Sequence, residues 1–84
     1  MTKDDLVCGH VYEAKRPRQT LRNFCNDRMV VYVGATVVQY DSAALSSGRR
    51  YPSVVIEKFL AWVGRDVTDE TPDGTWRNWN NRKK

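Results

Sequence analysis

The side chains that could carry chemistry in this chain gather in its first third. Cys8 and His10 stand as Cys-x-His, with Cys25 following at a distance. Thiolate sulfur and imidazole nitrogen are zinc donors, but a structural zinc site needs a complete tetrahedral set, usually with paired short spacings. Asp27 would have to complete it, and such mixed sets are uncommon. The simpler reading makes the cysteines small buried hydrophobes and His10 a surface residue of a strand. Cys25 with His10 as nucleophile and base lacks any surrounding nucleophile turn. The sequence therefore predicts no metal, no cofactor and no catalytic centre; the expected work is binding.

The basic side chains offer more. From Lys15 to Arg28 five cations (Lys15, Arg16, Arg18, Arg22 and Arg28) face one acid, Asp27. Nine of the fourteen cations in the chain are Arg, whose planar fork suits bidentate contact with phosphate or carboxylate. Lys15, Arg16, Arg18 and Arg22 fall on a connection held by Pro17, from which they could reach phosphates without disturbing a strand. Arg49-Arg50-Tyr51 is a second cluster, an aromatic beside two cations, as single-strand binders often use. Trp76 and Trp79 stand three apart with cations around them. Their rings could fold back over the domain, the first-ranked fate, or anchor a partner, since Trp is enriched at interface hot spots. These residues are the partner-binding candidates, weighed against a merely solvated basic face. A barrel that binds nucleic acid would ordinarily show more net charge and several exposed aromatics on one sheet face. The acidic strip Asp66, Asp69, Glu70 and Asp73 lacks the spacing of a calcium loop. It is either solvated or the counterpart of a basic patch on a second copy, which would make a homodimer.

Elements must position these groups, and the central one is the stretch from Arg28 to Asp41, which reads as a β-hairpin. Gly34-Ala35 suits a two-residue type II′ turn, with Gly34 at the position that needs φ > 0. That turn sets Met29 opposite Tyr40, Val31 opposite Val38 and Val33 opposite Thr36 on the expected core face. Val30–Gln39, Tyr32–Val37 and an Arg28–Asp41 charge pair fall on the other face. Before the hairpin, residues 10–15 form a first strand with Tyr12 and Ala14 inward, ended by Pro17. Leu21, Phe24 and Cys25 have helical spacing and could anchor the basic connection to the core. After the hairpin, residues 42–48 form a loop or a single helical turn. Ser53 suits the N-cap of a helix from Val54 to Val63, with Gly64 as its left-handed stop. The β-branched start of that helix leaves a strand over residues 50–56 as the alternative. Asp66-Val67-Thr68 could close the sheet, and Thr71-Pro72-Asp73-Gly74 is a turn. At the start, Thr2 could cap a short turn carrying Asp4 and Asp5.

At 84 residues the chain reads as one domain over residues 1–74 with a basic, Trp-containing tail over 75–84. A core of that size hardly sustains an open active-site cavity. The net charge is +4, and the pI of about 9.3 is basic without being extreme. No run is long and apolar enough to span a membrane, and the acids of MTKDDLVCGH do not suit a signal peptide, so a cytosolic protein with free thiols is expected. The fold class is α+β, a small bent antiparallel sheet or an SH3-like barrel with one C-terminal α-helix. The segments Gly9-His10-Val11-Tyr12, Val38-Gln39-Tyr40-Asp41-Ser42 and Tyr51-Pro52…Phe59…Trp62 resemble small accessory proteins of phages and prophages, over roughly residues 9–68. That resemblance implies an SH3-like fold and a non-enzymatic role, often interference with host machinery, and it assigns no functional residue. The leading expectation is a protein that binds and modulates or inhibits host or defence machinery handling nucleic acid. Direct nucleic-acid binding by the same basic surfaces is the alternative.

Overall fold

The structure, a computed structural model, describes residues 1–43, 50–72 and 76–81. Five strands and one helix follow in order: β1 (Val11–Ala14), β2 (Arg28–Val33), β3 (Val37–Ser42), β4 (Ser53–Val55), α1 (Ile56–Trp62) and β5 (Val63–Asp66). All pairings are antiparallel and the strand order is β4-β3-β2-β1-β5. The architecture is α+β, an open five-stranded sheet with one helix. The first four strands meander, and β5 returns to lie beside β1.

The hairpin exists, but its register is not the expected one. Arg28 faces Ser42, Met29 faces Asp41 and Val30 faces Tyr40; beyond a bulge at Val31, Tyr32 faces Gln39 and Val33 faces Val38. A bulged strand carries one extra residue and inverts the inside–outside alternation beyond it. Val30 and Val33 therefore both turn to the core despite their odd spacing, whereas Val31 is half-buried and Tyr32 exposed. The expected Val31–Val38 pair does not form. Nor does the Arg28–Asp41 pair, because Asp41 lies opposite Met29 and accepts the Ser42 amide at 2.8 Å. The turn differs for a related reason. Val33 and Val38 enclose the longer connection Gly34–Val37, closed by the Gly34 amide donating to the Val37 carbonyl at 2.8 Å. Among the described glycines the left-handed φ, 87°, belongs to Gly9. At Gly34 a Cβ would crowd the exposed Tyr32 ring at 3.0 Å and the Val37 carbonyl oxygen at 3.3 Å.

The core is built from Leu6, Tyr12, Val30, Val38, Ile56, Phe59 and Val63. Tyr12 and Ala14 point inward as expected, and Val11 is buried as well. The Tyr12 hydroxyl donates to the Asp5 carbonyl at 3.0 Å and accepts the Val7 amide at 2.8 Å. Those two bonds satisfy a buried polar group and tie the N-terminal turn, Lys3–Asp5, to the sheet. Burial pushes the Tyr12 phenol above its ordinary pKa. Phe59 is fully buried and meets the rings of Tyr12, Tyr40 and Trp62 at centroid distances of 6.3, 6.2 and 5.3 Å. Burying a side chain of this size contributes about 1.5–3 kcal/mol.

The helix begins at Ile56, not Val54, with Val55 in extended backbone at its N-cap. The β-branched Val54 and Val55 join β4 and pair with Val38 and Val37, so Ser53 opens a strand where a helix cap was expected. At its other end the chain turns straight into β5 through extended Val63, and Gly64 is no helix stop. Gly64 lies so close to β1 that a Cβ would approach the Ala14 carbonyl oxygen at 3.1 Å. The closing strand thus comes earlier than Asp66-Val67-Thr68, and Val67 follows it as a buried residue.

Candidate functional site

The basic connection between β1 and β2 is a small hairpin, not a helical turn. Gln19 bridges Cys25, the Thr20 amide donates to the Phe24 carbonyl at 2.8 Å, and the Asn23 amide returns to the Thr20 carbonyl at 3.1 Å. Asn23 takes φ 64°, the left-handed residue that follows the turn in a three-residue hairpin loop. Asn tolerates this conformation better than most residues. In consequence Leu21, Phe24 and Cys25 do not share a buried face. Cys25 is buried and Phe24 half-buried, but Leu21 stands at the tip, fully exposed beside Arg22.

Residues 76–79 buttress this hairpin. Phe24 bridges Asn78, the Cys25 amide donates to the Arg77 carbonyl at 2.9 Å, and the Trp79 amide donates to the Asn23 carbonyl at 2.8 Å. Arg77 is 3 % exposed and Asp27 0 %. The Arg77 guanidinium donates through Nε and Nη2 to the Asp27 carboxylate at 2.7 and 2.9 Å, and through Nη2 to Glu13 at 2.8 Å. Its buried Nη1 has no hydrogen-bond acceptor among the described residues and lies 3.7 Å from Glu70. The bonds to Asp27, together with Glu13, hold Arg77 above its already high pKa against the opposing effect of burial. Arg65 pairs with Glu13 and Glu70 and extends the network to β5. Sequence reasoning counted Arg77 only as one more cation of a basic tail. The single hint was Asp27, the lone acid in a run of cations.

With the acids Glu13, Asp27 and Glu70 engaged by Arg65 and Arg77, the connection's own cations are left uncompensated. Among the described residues none of Lys15, Arg16, Arg18 or Arg22 forms an ion pair with a carboxylate. Lys15, Arg16 and Arg18 line a cleft of about 420 Å³ together with Ala14, Asn26, Ala61 and Trp62. Among the described residues the cleft has cations on its walls, one indole and no acid. Its floor is held by main-chain bonds, the Lys15 amide to the Trp62 carbonyl at 2.8 Å and the Asn26 amide to the Arg18 carbonyl at 3.0 Å. Asn26 also accepts the Arg18 amide through its side chain at 2.9 Å.

The other candidates lie elsewhere. Arg22 is exposed at the hairpin tip and Arg50 and Tyr51 are exposed ahead of β4, none of them lining the cleft. Arg49 lies outside the described residues, as do Asp73 and most of the loop expected over residues 42–48. Trp76 and Trp79 are half-buried. Trp62 carries on its ring the guanidinium of Arg28, whose Cζ is 4.2 Å from the indole centroid and 4.3 Å from that of Tyr40. Burial pushes Arg28 below its ordinary pKa, partly opposed by Tyr40.

Cys8 is exposed and Cys25 buried, and His10 is engaged by Asp66 at 2.7 Å. Among the described residues no three His, Cys, Asp or Glu side chains are grouped as metal ligands, so the Cys8–His10–Cys25 combination is not assembled. Asp66 also accepts the Thr68 hydroxyl and amide, at 2.5 and 2.8 Å. Among the described residues no helix is long and apolar enough to cross a membrane. Compared with protein-family models, curated proteins and solved structures, the chain matches none.

Proposed function

We propose that the chain is a non-enzymatic binding module of the phage accessory kind, which modulates or inhibits host or defence machinery that handles nucleic acid. The observation that carries this reading is the cleft in which Lys15, Arg16 and Arg18 stand beside Trp62 without carboxylate partners among the described residues. Such a surface complements the acidic or phosphate-rich faces of that machinery, and electrostatic complementarity gives encounter rate and specificity. The strand order, a meander with β5 returning beside β1, supports the SH3-like arrangement expected of such proteins.

Direct nucleic-acid binding is the second reading, and the grouping of Lys15, Arg16 and Arg18 on one cleft favours it, because clustered cations suit phosphate contacts. One experiment separates the two. The wild-type chain and a variant carrying Arg16→Ala and Arg18→Ala are each tested for capture of a protein from host lysate treated with nuclease, and for binding a random single-stranded oligonucleotide at physiological salt. Capture of a defined host protein by wild type but not by the variant supports the first reading. Sub-micromolar oligonucleotide binding lost in the variant supports the second. Equal behaviour of wild type and variant in both assays makes the basic cleft a solvated surface and removes both.

A further inference from the structure

Arg28 is half-buried, yet among the described residues it has no carboxylate partner and its side chain makes no hydrogen bond. A charge drawn out of water is ordinarily paired. Here the compensation comes from ring faces, Tyr40 on one contact and Trp62 on the other, at 4.3 and 4.2 Å. A ring face offers a guanidinium no oxygen acceptor, so its N–H donors remain available to one. The N–H edge of Arg28 is not sealed, since the fully enclosed donor without an acceptor among the described residues is Nη1 of Arg77 and no nitrogen of Arg28.

The two rings are themselves fixed. Both pack on Phe59, which is fully buried. A flexible side chain on the surface loses rotamer freedom when it grips a ligand, whereas Arg28 has lost much of that freedom on folding. The result is a planar donor fork, held in place and lacking an acceptor among the described residues.

We propose that Arg28 is an oxyanion receptor that takes one phosphate or carboxylate group on its N–H edge. Trp62 belongs both to this clamp and to the wall lined by Lys15, Arg16 and Arg18, so the receptor extends the basic cleft around one indole. The site stands on its own geometry and rests on the proposed function only for the source of the anion: a phosphodiester if nucleic acid is bound, an acidic side chain if a protein is.

The test uses the isolated full chain and small ions, so failure to find a macromolecular partner does not affect it. Inorganic phosphate and, separately, acetate are titrated at constant ionic strength. The arginine Cζ–Nε correlations are followed with carbon detection, which does not depend on proton exchange. Arg28 is expected to shift saturably, with half-saturation about ten-fold below that of exposed Arg22, the equivalent of one further charge-assisted hydrogen bond. Saturation by phosphate alone assigns the site to phosphoryl groups, and saturation by acetate assigns it to carboxylates. Arg28→Lys, which keeps the charge and the ring contact but loses the fork, should abolish the perturbation of the Trp62 indole that accompanies saturation. Shifts at Arg28 that are linear and no larger than those at Arg22 would overturn the proposal and leave Arg28 a packing element.

Discussion

Asp27 and Arg77 are fifty residues apart in the chain and joined by two hydrogen bonds of 2.7 and 2.9 Å, with the carboxylate fully buried. Removing one partner leaves the other charge buried and unpaired. Arg77→Met is therefore expected to destabilise by about 3–5 kcal/mol. Adding Asp27→Asn should recover part of that loss, leaving a coupling of about 0.5–3 kcal/mol in a double-mutant cycle measured by urea melts. Additive losses would show that the pair is not formed.

The bulge at Val31 makes a second prediction. Val30→Ala and Val38→Ala should each lower stability by about 1–3 kcal/mol, through lost burial and a cavity. Val31→Ala, which removes a half-buried side chain, should cost less than either. Equal losses at positions 30 and 31 in denaturant melts would place the bulge elsewhere.

A third prediction concerns acid. Burial works to raise the Asp66 pKa, but the hydroxyl and amide of Thr68 and the His10 ring outweigh it and leave the carboxyl below its ordinary value. A carboxylate with a folded-state pKa below its unfolded value contributes stability above the unfolded value, near about pH 4, and loses it as pH falls through the folded value. Thermal midpoints followed from about pH 6 down to about pH 2.5 should therefore fall less for Asp66→Asn than for the wild type. Parallel acid limbs would remove Asp66 from the titrating set.

Leu21 gives a fourth. Fully exposed at the hairpin tip, it buries nothing within the chain, and Leu21→Ser should leave the urea midpoint within about 0.5 kcal/mol of wild type. A larger loss would return Leu21 to the core, where its spacing with Phe24 and Cys25 first suggested it belonged.

The fifth concerns salt. If phosphates occupy the cleft, log affinity for an oligonucleotide falls linearly with log salt, by about 0.7–0.9 per contact. Arg18→Ala should then lower that slope by about one unit and weaken all sequences alike. An unchanged slope would place the phosphates elsewhere.

Much of the architecture could be read from local pattern. The β-branched runs on either side of Gly34, the inward Tyr12 and Ala14, and the apolar spacing of Ile56, Phe59 and Trp62 all correspond to elements that form. The register was not legible, because a bulge leaves no local signature. Val30 and Val31 are the same residue type, and only packing against Phe59 and the far strands decides which turns inward. Nor did helix-like spacing reveal the hairpin at residues 19–25, whose shape depends on a left-handed Asn23 and on main-chain bonds from residues 77 and 79. The cleft was half visible. Lys15, Arg16 and Arg18 were evident as a charge run, but Trp62 joins them through the tertiary contact of β5 with β1, where Gly64 lies close to Ala14. Arg77, the most enclosed cation described, carried no mark that distinguished it from the solvated ones.

The order of synthesis gives the Asp27–Arg77 bond a further meaning. Translation proceeds at roughly 5–20 residues per second, so the fifty residues between them take roughly 2.5–10 s to add. During that interval Asp27 lacks the Arg77 guanidinium, and the hairpin at residues 19–25 lacks its backing. The bond that closes this network therefore waits on a residue made after the five described strands. A nascent chain halted before position 77 should hold a loosely ordered basic arm, and the cleft should acquire its final shape only after Arg77 arrives.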